Sequence, residues 1–382
     1  MSDQSNSEAA NRSHFRLGYR PALDGLRGIF LLAVMVYHAD ANDGEMGLFP
    51  GAFLGVDGFF VLSGFLITVL LCQEWDRANT ISLRNFYARR ALRLLPALCF
   101  WLACVVVFVT IFLKGPIVTA IWNNIIPVLF YHMNWAIAYG DIPPFVHHAW
   151  SLSVEEQFYI LWPLTLSILL RLRIKWSRII GLVAGGIVAS ALWRLMLLAS
   201  AAPVMRMYVG LDTRADALLV GCLVGLIASR DLLPVSPRVW KWINLAGYAS
   251  IVFLVALIFK TSIPSRYLYY GGFTLVAIGV GMIIVMVLGS PPKRLLQILE
   301  LPWLVWVGRV SYGLYLWHRT IYQGFGPSRA FLPEWIGLAI ATLIIFAAAT
   351  FSFYLIEQPF LRLKDRFSSS ARGITGADDQ TA

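Results

Sequence analysis

Three ionisable residues share one face of the first apolar segment of the chain. Asp24, Arg27 and His38 are 3 and 11 positions apart, and at about 100° per residue these offsets place them in one sector of an α-helix. Arg27 and His38 would lie roughly 16 Å apart along the axis, over half of a ~30 Å bilayer core. Ionisable groups inside a membrane cost at least ~2.5 kcal/mol each and usually serve a function. We therefore interpret His38 as functional. The alternative is structural: Asp24 and Arg27 form an ion pair at the membrane interface, and His38 is a hydrogen-bonded polar residue at the outer boundary.

A basic cluster follows in the segment Phe86–Pro96. Arg89 and Arg93, and Arg90 and Arg93, are spaced i, i+4 and i, i+3 on one helix face. Three positive charges there need an anionic partner, and guanidinium groups bind phosphate in a bidentate manner. The cluster is a candidate site for the phosphates of coenzyme A. The alternative is a topogenic loop that touches lipid phosphates.

Polar residues also gather at the predicted outer end of the fourth apolar run. His148, Ser151 and Glu155 are spaced so that they share one side of a helix that begins early enough. Beside aromatic residues such as Trp150, they could bind a sugar-like acceptor or assist proton transfer. Ser151 could instead cap the helix, which would leave the histidines unexplained. His318, near the end of the ninth run, is a candidate second functional histidine.

The composition indicates the elements that hold these residues. The chain of 382 residues is 58% hydrophobic and 14% charged, with a mean hydropathy of +0.69, whereas soluble proteins carry about a quarter charged residues. We predict an all-α, polytopic membrane bundle of about ten transmembrane helices. Polar tails at 1–20 and 363–382 are predicted to be disordered, around a membrane domain at 21–362. The predicted spans are 26–42, 52–72, 92–113, 150–170, 178–200, 214–229, 240–260, 267–289, 308–325 and 333–356.

The distribution of charge predicts the orientation. Basic residues cluster in short loops on one side, for example at 171–178 and 230–241, so the positive-inside rule places both termini in the cytoplasm. A full crossing at 117–138 would invert everything downstream, so we interpret that segment as re-entrant or interfacial, lining a cavity. The same clustering explains the net charge of +10 without nucleic acid. The four cysteines show no metal-ligand spacing, and Arg214 and Asp216 are interpreted as a structural pair.

Taken in order, these motifs resemble the acyltransferase-3 family of integral membrane O-acyltransferases over about residues 20–357. The resemblance rests on five motifs: Asp24-Gly-Leu-Arg27-Gly with His38, Gly55-Val-Asp57-Gly-Phe-Phe-Val-Leu-Ser63-Gly-Phe-Leu, Arg90-x-x-Arg93, Trp150-Ser-Leu-Ser-Val-Glu155-Glu-Gln-Phe-Tyr159, and Ser311-Tyr-Gly-Leu-Tyr-Leu-Trp-His318. It implies ten spans, acyl-CoA (often acetyl-CoA) as donor, no metal, and a hydroxyl acceptor on a glycan, lipid-linked sugar or glycosylated metabolite. Some relatives add an extracytoplasmic esterase-like domain, which this sequence is expected to lack.

The mechanism expected from this resemblance places the phosphates of coenzyme A at Arg90 and Arg93 and the thioester near His38. His38 would act as general base or as a transient acyl carrier, and Asp24 and Arg27 would position the helix or the donor. The acceptor would enter from outside, near His148 and Glu155, in a bacterial cytoplasmic membrane. A transporter or flippase of acylated or anionic lipids is the competing function, because ionisable residues and re-entrant segments occur there too.

Overall fold

The computed structural model describes residues 17–39, 47–140, 142–325 and 333–363, and within them the regular structure is helical. All but residues 17–20 and 363 of the predicted tails lie outside the described residues, as do positions 40–42 of the first predicted span. The helices, numbered here in chain order, are α1 Pro21–Ala39, α2 Gly55–Ala78, α3 Leu83–Phe112, α4 Pro116–Leu129, α5 Met133–Tyr139, α6 Ala149–Arg171, α7 Trp176–Ala199, α8 Val204–Val209, α9 Leu211–Ser229, α10 Pro237–Lys260, α11 Phe273–Leu288, α12 Lys293–Leu299, α13 Pro302–Arg309, α14 Ser311–Phe325, α15 Glu334–Phe351 and α16 Gln358–Leu363.

The prediction of an all-α membrane bundle is confirmed, and each of the ten predicted spans coincides with a helix. Among the described residues, seven helices are long and apolar enough to cross a membrane. Three predicted spans, in α6, α9 and α14, fall outside that set, and these are helices that carry polar motifs. The predicted ends were less accurate: α3 begins at Leu83 and not at 92, because its arginine-rich first turns are helical too.

The segment predicted to be re-entrant forms two short helices. The 14 residues of α4 extend about 21 Å at 1.5 Å per residue, too short to cross a ~30 Å core. The segment is more helical than expected, since the non-helical backbone is confined to a short junction between α4 and α5. Tyr131 in that junction has a φ of 51°, a left-handed conformation that is uncommon for a residue other than glycine.

Close helix packing at the centre depends on glycine. A Cβ on Gly64 of α2 would lie 2.0 Å from the carbonyl oxygen of Leu218, and one on Gly221 of α9 would lie 2.0 Å from that of Val61. The two helices therefore meet backbone to backbone, as small residues allow in membranes. At the periphery, α10 buries only Gly247, which leaves an apolar surface for lipid.

Two ion pairs buried in the bundle differ from the predicted pairing. Arg214 binds Asp57 of α2 at 2.5 Å, and Asp216 binds Arg194 of α7 at 2.9 Å. The expected pairing of Arg214 with Asp216 was therefore wrong. Thr274 donates a further hydrogen bond of 2.6 Å to Asp216. The two pairs connect α2, α7 and α9 through side chains that water does not reach, and Thr274 links α11 to them.

We expect Asp57→Ala to lower the free energy of unfolding by about 3–5 kcal/mol, because it leaves the Arg214 guanidinium buried without its partner. The matched control is Asp76→Ala on the same helix. Asp76 pairs with Arg230 at 2.5 Å, but its side chain is 21% exposed, and such a pair contributes about 1 kcal/mol or less. Unfolding of the two purified variants in one detergent tests this. Equal losses would contradict it.

Candidate active site

A cavity of about 490 Å³ runs between α1, α2, α3, α6 and α14. Both Val56 and Arg77 of α2 line it, and their 21-residue separation corresponds to roughly 31 Å along the helix. The cavity is thus a narrow passage comparable in length to the hydrocarbon core of a bilayer. The candidate residues Arg27, Arg89, Arg90, Arg93, Ser151 and Glu155 all line it.

The arginine-lined part of the cavity already contains anionic partners for two of its guanidinium groups. Arg89 pairs with Glu74 at 3.3 Å. Arg90 pairs with Glu156 at 2.5 Å and lies over the ring of Tyr159, 3.3 Å from its centroid. The carboxylates of Glu74 and Glu156 therefore relieve the charge repulsion for Arg89 and Arg90. Of the three predicted arginines, only Arg93 forms no ion pair among the described residues.

Arg93 and Arg27 have the most remaining capacity to bind an anion. Among the residues that the structure describes, Arg93 forms no hydrogen bond or ion pair. Within the same residues, the ion pair of Arg27 is with Asp24, three positions earlier on α1, at 4.0 Å. Both arginines border the cavity, so their guanidinium groups could donate hydrogen bonds to a phosphate that enters it.

Glu155 lies beside the arginines and not beside His148. Ser63 of α2 donates a hydrogen bond to Glu155, and the Tyr159 hydroxyl donates a second one of 3.3 Å. The predicted shared helix face is real for Ser151 and Glu155, which both border the cavity. His148, seven residues before Glu155, packs against α14.

Ser151 and Tyr315 close the other end of the cavity. Their hydroxyl oxygens lie within hydrogen-bond distance of each other and of the His148 carbonyl oxygen, which is 2.9 Å from Tyr315 and 3.3 Å from Ser151. With one proton each, the two hydroxyls donate two of these three contacts at a time. Ser151 is the first residue of α6 that borders the cavity, and Tyr315 is the last residue of α14 that does so. The capping alternative for Ser151 was wrong: His148 is the N-cap residue, and no side chain caps this helix.

Beyond this closure lie the rings of His38, His148 and His318, here called the histidine cluster. The rings of His38 and His318 are 5.0 Å apart, and those of His148 and His318 are 5.3 Å apart. His318 Nε2 lies 3.1 Å from His38 Nδ1. Three histidines that are distant in sequence thus converge where the cavity ends.

The hydrogen bonds of the cluster determine its neutral tautomers. His318 Nδ1 lies 2.7 Å from the Tyr315 carbonyl oxygen, which can only accept, so this nitrogen carries the proton and Nε2 accepts. His38 Nδ1 must then donate, to His318 Nε2 and to the Val34 carbonyl oxygen at 3.1 Å. His38 Nε2 is left with the free lone pair, which is the form a base or nucleophile requires.

Comparison with known proteins identifies the family of the chain. A family model described as an acyltransferase domain matches residues 20–358. The chain belongs to the acyltransferase-3 family. It is 35% identical over 359 residues to the peptidoglycan O-acetyltransferase OatA of Listeria monocytogenes, covering 89% of this chain and 56% of that protein. It is 32% identical over 317 residues to the O-acetyltransferase OatA of Staphylococcus aureus, covering 79% and 50% respectively. The chain thus spans about half the length of these relatives. No solved structure matches it.

Trp150 and His147 lie near the site of this acyltransferase-3 chain but not in the lining of the cavity. Trp150, a predicted substrate-binding residue, packs into an aromatic group with Tyr208 and Phe60, with ring centroids 4.9 and 6.1 Å away, and it does not border the cavity. His147 precedes α6, and burial lowers the pKa of its imidazole to about 4. It therefore adds no positive charge beside His148 at neutral pH.

Two lining residues of the acyltransferase-3 site escaped the sequence analysis. Tyr315 lies within the quoted motif, but nothing in its spacing distinguished it. Tyr131 borders the cavity from the left-handed junction between α4 and α5, and its hydroxyl is buried. The prediction that the segment 117–138 is re-entrant or interfacial and lines a cavity was the signal available for it.

Proposed function

We propose that this chain is a membrane O-acyltransferase that moves an acetyl group from acetyl-CoA to a hydroxyl of a glycan, lipid-linked sugar or glycosylated metabolite. The observation that carries the proposal is the cavity, which is lined by arginines along one part and ends near the histidine cluster. The relatives named as O-acetyltransferases, one of them for peptidoglycan, support the acetyl group and the glycan class of acceptor. Residues 21–362 would form the catalytic membrane domain, with cytoplasmic tails on both sides.

The donor would enter from the cytoplasm at the arginine-lined part. Trp101 of α3 marks the level of the histidine cluster, because its ring lies 5.4 Å from that of His148. Arg93 and Arg89 precede it by 8 and 12 residues, about 12 and 18 Å along the helix. Phosphates held by Arg93 and Arg27 would leave the extended pantetheine arm to bridge this distance, with Arg89 and Arg90 adding positive potential at the entrance.

The acceptor would approach the histidine cluster from the outer side, near His148. His38 Nε2 would remove the proton of the acceptor hydroxyl while its oxygen attacks the thioester carbonyl carbon. The carbon–sulfur bond then breaks, and the proton passes to the departing CoA thiolate. His318 would hold His38 in the required tautomer. In the alternative covalent route, His38 Nε2 first accepts the acetyl group and then transfers it.

The test is transfer of label from [acetyl-¹⁴C]acetyl-CoA by the purified chain in lipid nanodiscs. Peptidoglycan fragments and a lipid-linked oligosaccharide serve as separate acceptors, and mass spectrometry locates the added acetyl mass. We expect acceptor-dependent release of CoA. Absence of both CoA release and acetylated product with every acceptor, together with flux of an acylated lipid in vesicles, would overturn the proposal in favour of a transporter.

A further inference from the structure

We propose that Ser151 and Tyr315 determine the length of the acyl chain that this site accepts, an inference that rests on the proposed use of acyl-CoA. Their paired hydroxyls form a wall at the end of the cavity, and the wall admits a two-carbon group and excludes longer ones.

The wall is built from hydrogen bonds that hold both side chains in place. Ser151 and Tyr315 are 5% and 7% exposed, and their two hydroxyls share two protons among three contacts, one between themselves and one from each to the His148 carbonyl oxygen. His148 is in turn tied to α14, since its Nε2 lies 3.1 Å from the carbonyl oxygen of Leu316. The start of α6 and the middle of α14 are thereby fixed against each other at the closed end.

Behind the wall the protein is filled. The rings of His148 and His318 lie 5.6 and 5.3 Å from that of Tyr315, and both histidines are almost fully buried. A longer acyl chain therefore cannot advance without displacing a hydrogen-bonded hydroxyl or a histidine. Protein interiors tolerate such intrusion poorly.

The position of the donor brings the acyl end to this wall. With its phosphates at Arg93 and Arg27, acyl-CoA points its thioester along the cavity toward Ser151 and Tyr315. Because the cavity lining ends at Ser151 on α6 and at Tyr315 on α14, the acyl carbons at the tip of the donor lie against the two hydroxyls. One methylene at such a boundary changes binding by about 10- to 200-fold.

The experiment measures binding of a series of CoA thioethers to the purified full chain. S-ethyl-, S-propyl- and S-butyl-CoA extend the chain one carbon at a time without reacting, and free CoA reports on the arginine-lined part. The variants are Ser151→Gly and Tyr315→Phe. Matched controls are Ser311→Gly and Tyr312→Phe, which border the same cavity one helical turn away on α14.

For the wild type we expect S-propyl-CoA to bind at least ~10-fold more weakly than S-ethyl-CoA. Ser151→Gly and Tyr315→Phe should each reduce that ratio by at least ~5-fold, while the controls keep the wild-type ratio whatever their absolute affinities. Free CoA should bind all five proteins, which shows that each is folded.

The outcomes separate the two proposals. If free CoA binds but the ethyl-to-propyl ratio is the same in all five proteins, the wall does not select chain length, and the proposed function stands. If the wild type binds neither free CoA nor any thioether, the donor assignment fails and the present inference fails with it. A shifted ratio in either control equal to that in its test variant would also refute the wall.

Discussion

Replacing His38 by alanine is expected to reduce acyl transfer by ~10²- to 10⁴-fold, the contribution typical of a positioned general base. His38 Nε2 is the nitrogen of the His38–His318 pair whose lone pair is left free, because His38 Nδ1 donates to His318 Nε2 and to the Val34 carbonyl oxygen. Binding of acetyl-CoA should change by less than ~3-fold, since the phosphates bind elsewhere and the loss falls on the rate of the chemical step. Initial rates and donor affinity, measured on one preparation, test both parts.

The control is His132→Ala, an exposed histidine that immediately precedes α5 and is not part of the histidine cluster. It should retain wild-type activity. His318→Ala should show an intermediate loss, because His38 would keep its imidazole but lose the partner that fixes its tautomer. Full activity of a folded His38→Ala protein would contradict the proposed mechanism in both of its forms.

The same variants distinguish the two roles of His38. If it carries the acetyl group, rapid mixing with acetyl-CoA without acceptor releases about one equivalent of CoA per protein, and the acetyl mass appears on the peptide containing His38. If it is a base, CoA release waits for the acceptor.

The helices could be predicted from the sequence because the information is local. A span requires roughly 20 apolar residues in a row, and backbone groups in lipid must be satisfied within the segment. Both requirements can be read from a window of sequence. The same dependence on hydropathy missed the start of α3 at Leu83, because the arginines of α3 lower the hydropathy without disfavouring the helix.

Pairings between helices could not be read in this way. Arg214 and Asp216 are two positions apart on one helix, and such residues point in different directions. The partner of Arg214 is 157 residues away in sequence, and that of Asp216 is 22 residues away. Spacing showed which side chains share a face but not which other helix that face meets.

The candidate site shows the same division between local and distant information. Arg27, Arg93 and Glu155 were predicted as functional from their motifs, and all three border one cavity. Seven residues separate His148 from Glu155, so one helix face places them about 10 Å apart, at different levels of the passage. The contact of His38 with His318, 280 residues apart, needed the folded bundle.

We expect Arg93→Gln to raise the KM for acetyl-CoA by ~10- to 100-fold, because a hydrogen bond to a charged group contributes about 1.5–3 kcal/mol. The turnover number at saturating donor should change little, since the contact is the same in the ground and transition states. Arg93 is the suitable position because, within the described part of the chain, it forms no hydrogen bond or ion pair that the substitution would break. Arg90→Gln would strand Glu156 and confuse loss of binding with loss of folding.

The matched control is Arg84→Gln, an arginine that is exposed on α3 and does not border the cavity. A second substrate makes the test specific, because acetyl-pantetheine carries the same thioester without the nucleotide phosphates. Arg93→Gln should weaken the use of acetyl-CoA while leaving the poorer activity with acetyl-pantetheine unchanged. Equal losses with both substrates would mean that Arg93 supports the passage itself and that the phosphates bind elsewhere. Only unequal losses are consistent with a guanidinium group that is held ready for an anion.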